Sequence, residues 1–353
     1  MRVLFVLPAP VRVPMGGAAV VYRHAAGLAA RGHEMTVAAP KGDGRLRGRA
    51  MRAAVRVRDV IHRVENAPLL SAPGVVTLEP DRWQDLDASH YDAVIATGHQ
   101  TSSWVANLTE SSESHGVYFL QGDERDLSDR AGETWALPLA RIAVSEWVAT
   151  LVRDHGYPVL GVIPNAVDPA DFTLTTPVSD RPPSVVALYH RHPVKGPDTL
   201  ISALHRIRDA RPDVTTTVLA ARPPSHRLPD GVDVEIRPAA DRLCQLFNAS
   251  AVCLHTSRSE GWALVPMEAA ACGCAVAATA SRGPREYLTD GASMLEVPVG
   301  DGIALADTAL RLLNDETLRV RIAEAGVRDV AGFSWAESTA RLERLLLDII
   351  GAS

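Results

Sequence analysis

The sequence predicts two doubly wound α/β domains, each built on a parallel sheet, and three observations predict them. The chain has 353 residues, more than one hydrophobic core ordinarily serves, and 46% of them are hydrophobic, enough to fill two. Short apolar runs of four to six residues alternate with longer stretches of helical spacing, the pattern of βα units. A polar, proline-bearing stretch at residues 173–183 interrupts that alternation, after which it starts again.

The first run, residues 3–7, ends at prolines and glycines and leads into an alanine-rich helix over 18–31, closed by Gly32. Further strands are expected at 35–39, 75–78, 93–97, 116–120 and 142–144. Beyond the interruption they are expected at 185–188, 215–219, 234–236, 251–255 and 275–278, with helices between. This gives an N-terminal domain over 1–172, a linker over 173–183 and a C-terminal domain over 184–333. Residues 334–353 carry apolar side chains on one helical face and charges opposite, so a final helix is expected there, packing back toward the N-terminal domain. Ligands of open α/β sheets bind outside the carboxyl ends of the strands, so functional residues are sought in the strand-to-helix loops.

Composition narrows the function. A formal charge of -6 argues against a general nucleic-acid binder, which needs a surplus of cations on one face. The four cysteines sit in apolar runs without the spacing of a disulfide framework or a zinc site. No run approaches the ~18 apolar residues of a membrane span, and the N-terminus does not read as an export signal, so a cytoplasmic enzyme is expected. The basic run Arg45, Arg49, Arg52, Arg56, with Arg47, Arg58 and Arg63, reads either as an anion or membrane-surface contact or as a solvated flap; it lacks apolar anchors, and the flap is preferred. The fingerprint G-x-G-x-x-G is absent after the first strand, which disfavours a nicotinamide dehydrogenase.

The richest segment is SRSEGWALVPMEAAACGC, residues 257–274, a loop entering a helix. Pro266 fits the first helical position and Gly273 the C-terminal cap, which puts Glu268 in the first turn beside unpaired N–H groups and the positive end of the helix dipole. A carboxylate there only accepts hydrogen bonds and suits the paired hydroxyls of a ribose, while the same helix end attracts a diphosphate. Glu260 lies earlier in the loop, where it can accept from sugar hydroxyls, and the Gly261, Trp262, Ala263 and Leu264 backbone offers N–H groups. The competing reading is a dipole-stabilised helix-start glutamate and a solvated loop charge.

This segment resembles the E-G-F-G-L-x-x-x-E-A-x-A-x-G motif of retaining glycosyltransferases of family 4, which have the two-domain GT-B fold. Ala263 stands where that family usually has glycine, and Ala275 where it often has proline. The resemblance extends along the chain through Gly16-Gly17, Arg31-Gly32-His33-Glu34, Ile163-Pro164-Asn165, Gly283, Glu286 and Asp290-Gly291. It implies that Lys195, in the loop Tyr189-His190-Arg191-His192-Pro193-Val194-Lys195-Gly196, holds the donor diphosphate. The family's partner arginine is displaced here: His190 occupies its place and Arg191 follows by one, so either Arg191 turns into the site or a histidine does part of the work. The resemblance also implies that Gly16 and Gly17 let the backbone approach the donor, that His99 lies near the transferred sugar, and that Gln121 faces the acceptor where relatives carry histidine. Asp123 and Glu124 read as loop charges. Tyr118-Phe119-Leu120-Gln121 is similar to rhamnosyltransferase-type members.

The implied activity is transfer of a hexose or deoxyhexose from a UDP-, dTDP- or GDP-linked donor to a hydroxyl of a soluble, glycan or lipid-linked acceptor, with retention of anomeric configuration. His99, Lys195 and Glu260 are the expected catalytic residues, and no metal ion or resident cofactor is expected, since stabilising the leaving diphosphate supplies most of the work. An epimerase or hydrolase on the same fold, and a sugar-nucleotide-binding subunit without turnover, are the rival readings.

Overall fold

In the computed structural model the described residues are 1–11, 16–41 and 71–352. They form two compact units, Met1–Pro164 with Trp335–Ser353, and Asn165–Ser334.

The first unit is a seven-stranded, wholly parallel sheet in the order β3-β2-β1-β4-β5-β6-β7. Its strands are β1 (Arg2–Val6), β2 (Glu34–Ala38), β3 (Val75–Leu78), β4 (Ala93–Ala96), β5 (His115–Leu120), β6 (Ala140–Ala143) and β7 (Gly161–Val162). Val3 to Val6 and all of β4 are buried, as strands covered by helices on both faces require, and this is why they read as unbroken apolar runs rather than as alternation. The helices are α1 (Gly16–Ala30), α2 (His99–Thr109) and α3 (Glu146–Asp154), joined by α9 (Trp335–Gly351) from the far end of the chain. Gly32, at φ +90, and the carbonyls of Leu28 and Ala29 end α1 as the sequence suggests. α9 lies against α1, where Glu343 accepts from Arg31 Nε at 2.7 Å and meets His33 Nε2 at 2.7 Å.

The second unit is a six-stranded parallel sheet in the order β10-β9-β8-β11-β12-β13. Its strands are β8 (Ser184–Tyr189), β9 (Thr215–Ala220), β10 (Val232–Ile236), β11 (Val252–His255), β12 (Ala275–Thr279) and β13 (Met294–Val297). Its helices are α4 (Pro197–Ala210), α5 (Ala240–Ala249), α6 (Leu264–Ala271), α7 (Gly302–Asn314) and α8 (Glu316–Val330). α4, α7 and α8 bury Leu200, Leu204, Leu305, Leu312 and Ile322 against β8, β9 and β11.

The division falls at Pro164 and Asn165, ahead of the proline-bearing stretch expected to act as a linker. Residues 173–183 instead pack on the second unit. Asn248 Oδ1 accepts from Thr175 N at 2.7 Å and Thr176 N at 3.2 Å, and the buried Arg181 donates to the carbonyls of Phe247, Ser250, Thr176 and Cys272. Polarity marked this stretch as a connector, but its polar groups serve the ends of α5 and α6. Strands β7 and β13 escaped the sequence reading: β7 has two residues at a sheet edge, and β13 is a four-residue edge strand, MLEV, interrupted by a glutamate and buried only at its two ends. The basic run Arg45 to Arg63 lies outside the described residues. No helix among the described residues is long and apolar enough to cross a membrane.

Candidate active-site residues at the strand ends

Each sheet reverses its winding between two central strands, β1 and β4 in the first unit and β8 and β11 in the second, and the candidate residues follow the carboxyl ends of those strands and their neighbours.

In the first unit, Thr97 ends β4 by donating to the Val6 carbonyl at 2.8 Å, and its own N–H bonds Thr101 Oγ1 at 2.9 Å. Gly98 is the N-cap of α2, so His99 is its first residue. Gln121, directly after β5, donates from Nε2 to the Thr97 carbonyl at 3.2 Å, and its Oε1 lies where a Cβ on Gly17 would come within 3.1 Å. Gly16 and Gly17 are exposed at the start of α1, and the side chain of Gln121 fills the space a larger residue at 17 would need. His99, Gln121 and Gly17 therefore gather at the ends of β1, β4 and β5.

One assignment changes here. Glu124 is a buried residue, not a solvated loop charge: its Oε2 accepts from the Tyr118 hydroxyl and stands 3.6 Å from His99 Nδ1. The signal was hidden because the short 3-10 turn Glu124–Asp126 buries a carboxylate that no helical or strand period marks. The neighbouring carboxylate, as acceptor and as charge, outweighs burial and raises the pKa of His99; at 3.6 Å the contact is a charge pair, longer than an ordinary hydrogen bond. Burial first, and then Glu124, push the Tyr118 hydroxyl upward, so it remains a donor. Asp123 is engaged by Arg125, Nε at 2.8 Å and Nη2 at 2.8 Å.

In the second unit, Pro193–Lys195 forms a single 3-10 turn after β8, and Gly196, at φ +64, ψ +47, turns the chain into α4. A Cβ on Gly196 would run into the Thr256 backbone, so glycine is required for conformation and for close approach together. Thr256 Oγ1 donates to the Lys195 carbonyl at 2.9 Å and Arg258 N to the Val194 carbonyl at 2.7 Å, stitching the lysine turn to the loop after β11. Lys195 Nζ and Ser257 Oγ both reach Glu260 Oε1 at 2.7 Å, in a pair whose side chains are 34% and 13% exposed. Burial alone would raise the Glu260 carboxyl, but the charge of Lys195 and the hydrogen bonds from Lys195 and Ser257 hold it below the ordinary value. His255 is buried, meets Ser281 Oγ at 3.0 Å, and is pushed down to about 4 by burial, so its imidazole is neutral. Neither His255, Ser257 nor Ser281 was singled out from sequence.

Of the two residues competing for the family's arginine position, Arg191 is exposed and His190 half-buried. His190 Nδ1 accepts from His192 N at 3.1 Å, and burial, then Lys195, then its neighbours, lower its pKa, so a neutral imidazole sits beside the lysine.

The motif loop departs from expectation in two ways. α6 begins at Leu264, two residues before Pro266, so Pro266 is the third helical residue and Glu268 stands in the second turn, off the first-turn N–H groups. The N-cap is Ala263, at φ +69, ψ +87, in the left-handed region that the missing glycine would occupy without strain; its carbonyl accepts from the Tyr287 hydroxyl at 2.5 Å. Trp262, expected beside the donor, is 3% exposed and packed on Tyr287 and Phe333 with ring centroids 5.4 and 5.3 Å away, its Nε1 against Met267 Sδ at 3.2 Å. Only its backbone remains for a ligand. Glycine is also needed at 283, where a Cβ would meet the Trp262 carbonyl at 2.7 Å.

Residues 14–171 match the family model described as Glycosyltransferase Family 4, and residues 184–315 the model described as Glycosyl transferases group 1. Each half of the chain is thus similar to a glycosyltransferase family, and neither match by itself covers half of its length. Among curated relatives it is 33% identical over 182 residues to a D-inositol 3-phosphate glycosyltransferase of Corynebacterium glutamicum, covering 47% of this chain and 44% of that one. It is 34% identical over 167 residues to the enzyme of that name from Frankia alni, covering 42% and 41%. The matches thus span less than half the length of these relatives. Among solved structures, sucrose-phosphate synthase from Thermosynechococcus elongatus aligns at TM-score 0.79 and 17% identity over 100% of both chains. Anabaena HepE in complex with UDP-glucose aligns at 0.74 and 18%, over 98% of this chain and 99% of that one. At such identity they show the fold, the same pair of parallel-sheet, Rossmann-like domains found in this chain.

Proposed function

We propose that this chain is a glycosyltransferase that moves a hexosyl or deoxyhexosyl group from a UDP-, dTDP- or GDP-sugar to an acceptor hydroxyl, retaining anomeric configuration and using no metal ion. The observation that carries the reading is the Lys195–Glu260 pair, joined across the ends of β8 and β11 where the second sheet reverses. A diphosphate arriving there takes the lysine as counter-charge, and the charge that develops on it as the anomeric bond breaks is what Lys195 stabilises. With both donors on Oε1, Glu260 Oε2 is left to accept hydroxyls of the sugar. Glu268 is proposed to accept from the ribose, and the neutral His190, in place of arginine, donates a single hydrogen bond to the phosphates. Retention follows if the acceptor attacks from the face the diphosphate leaves and passes its proton to a phosphate oxygen. His99 orients the sugar, and Gln121 the acceptor. The UDP-glucose held by the HepE structure supports the donor class, and the names of the curated relatives support a hydroxyl acceptor of the polyol kind.

A thermal-shift screen over nucleoside diphosphates and their sugars identifies the donor, because a ligand bound to the folded state raises its melting temperature. Transfer is then measured with and without added acceptor and with EDTA. The expected result is turnover that needs acceptor and survives EDTA, lost about a hundredfold in Glu260→Gln. Turnover without acceptor marks an epimerase or hydrolase, and binding without turnover a non-catalytic subunit. Unchanged donor affinity in Glu268→Ala removes the ribose assignment.

A further inference from the structure

Glu124 and Tyr118 are unassigned by the reading above, yet they stand directly behind the histidine it uses. We propose that Glu124, itself oriented by Tyr118, is a positioning residue that holds His99 as an Nδ1–H donor toward the protein and so presents Nε2 to the substrate. The inference rests on His99 serving the transferred sugar, and it assigns His99 a defined tautomer and orientation there.

The geometry runs as a chain. Thr134 Oγ1 stands 3.5 Å from the Tyr118 hydroxyl and donates to the Ala131 carbonyl at 2.6 Å. The Tyr118 hydroxyl, at the buried end of β5, donates to Glu124 Oε2, and the same oxygen faces His99 Nδ1 at 3.6 Å. The other carboxylate oxygen lies over Gly98, where an added Cβ would come within 3.4 Å of it. Glu124 is thereby fixed from two strands' ends, with one oxygen shared between a tyrosine and the histidine. An ionised carboxylate accepts and never donates, so it favours the proton on the ring nitrogen that faces it. The second ring nitrogen is then fixed as well, which is the service a carboxylate performs for an imidazole wherever one orients it.

Other charged groups on the elements packed against α2 are committed elsewhere. β4 contributes none; Asp85, in the turn after β3, binds Arg82; Glu133 binds Arg130; Asp123 binds Arg125. His115 begins β5, at the end of the strand remote from Leu120 and Gln121. Glu124 is thus the charge that governs His99.

The test is an NMR titration of the His99 ring nitrogens in the whole chain, with wild type, Glu124→Gln, Glu124→Asp and Tyr118→Phe. In wild type the Nδ1–H tautomer should dominate above the midpoint. Glu124→Gln should move the His99 midpoint down by at least half a pH unit and mix the tautomers, Glu124→Asp should recover part of the shift, and Tyr118→Phe should leave the midpoint at or above the wild-type value. Once a donor is found, Glu124→Gln should lower kcat about tenfold, the loss expected when the group that orients a working side chain is removed, and move the pH profile with the midpoint. Melting temperatures of the four proteins show whether each is folded. An unchanged midpoint and tautomer in folded Glu124→Gln overturns the inference. The titration needs no turnover, so failure to find any transfer would sink the proposed function and leave this result readable.

Discussion

Replacing Gly196 by alanine tests how the lysine turn is built. At φ +64 an alanine costs about 1–2 kcal/mol in the left-handed region. Its Cβ would also sit 3.0 Å from the Thr256 carbonyl carbon and closer still to the oxygen, backbone that no rotamer change can move. Relieving that overlap separates the two loops and breaks Thr256 Oγ1 to Lys195 O and Arg258 N to Val194 O, about 1 kcal/mol each. The sum is about 3–4 kcal/mol, taken from the second unit. Gly291 supplies the control, since it has φ +75 in the same unit and nothing within 4 Å of an added Cβ, so Gly291→Ala should cost only about 1–2 kcal/mol. Urea and thermal unfolding of both variants, followed in the transition of the second unit, measure the difference; about 2 kcal/mol corresponds to a gap of ~4–8 °C in Tm. Equal losses in the two variants would refute the argument, because the close approach to Thr256 would then count for nothing.

Three further outcomes are expected. Ala263→Gly relieves ~1–2 kcal/mol of backbone strain while losing a buried methyl, ~0.8 kcal/mol, and gaining chain entropy in the unfolded state, ~0.4–1 kcal/mol, so denaturation should place it within about 0.5 kcal/mol of the parent; a loss above ~1.5 kcal/mol would show the conformation to be unstrained. Arg181→Ala should destabilise the second unit by about 3 kcal/mol or more, since it orphans carbonyls at the ends of α5 and α6, and a loss under ~1 kcal/mol in urea titrations would contradict this. His24 is wholly buried between Phe119 and Trp335 and is pushed down to about 3 by burial. Its neutral form is what the fold accepts, so the stability is complete above the unfolded value near 6.5 and falls as pH drops from there toward 3, by up to ~1.4 kcal/mol per pH unit. His24→Phe should flatten that slope in unfolding of the first unit between pH 6.5 and 4, and an unaltered slope would assign it to other groups.

Much of the fold was legible because parallel strands covered on both faces must be continuously apolar, and residues such as Val3 to Val6 and Ala93 to Ala96 allow little else. The motif glutamates and Lys195 were legible for a different reason: the spacing of the glutamates after β11, and the Lys195-Gly196 pair after β8, resemble a known pattern. The strain at Ala263 was half legible, as an alanine in a glycine's place, but only the backbone angle shows what the missing glycine does there. The place of the Trp262 side chain was not legible, because an aromatic beside a binding motif looks the same in sequence whether it faces a ligand or Tyr287 and Phe333.

By itself the sequence determined the two α/β halves, the strand-end loops that carry chemistry and the pair Glu260 and Lys195 as the residues to inspect. Only the tertiary structure decided that this pair is joined, that residues 173–183 belong to the second unit, and that Glu124 is a buried partner of His99 rather than a surface charge. The reason is physical. Periodicity reports which face of an element avoids water, and it is written locally along the chain. A carboxylate's environment is set by groups brought from other strands, whose arrival depends on how the sheet orders them.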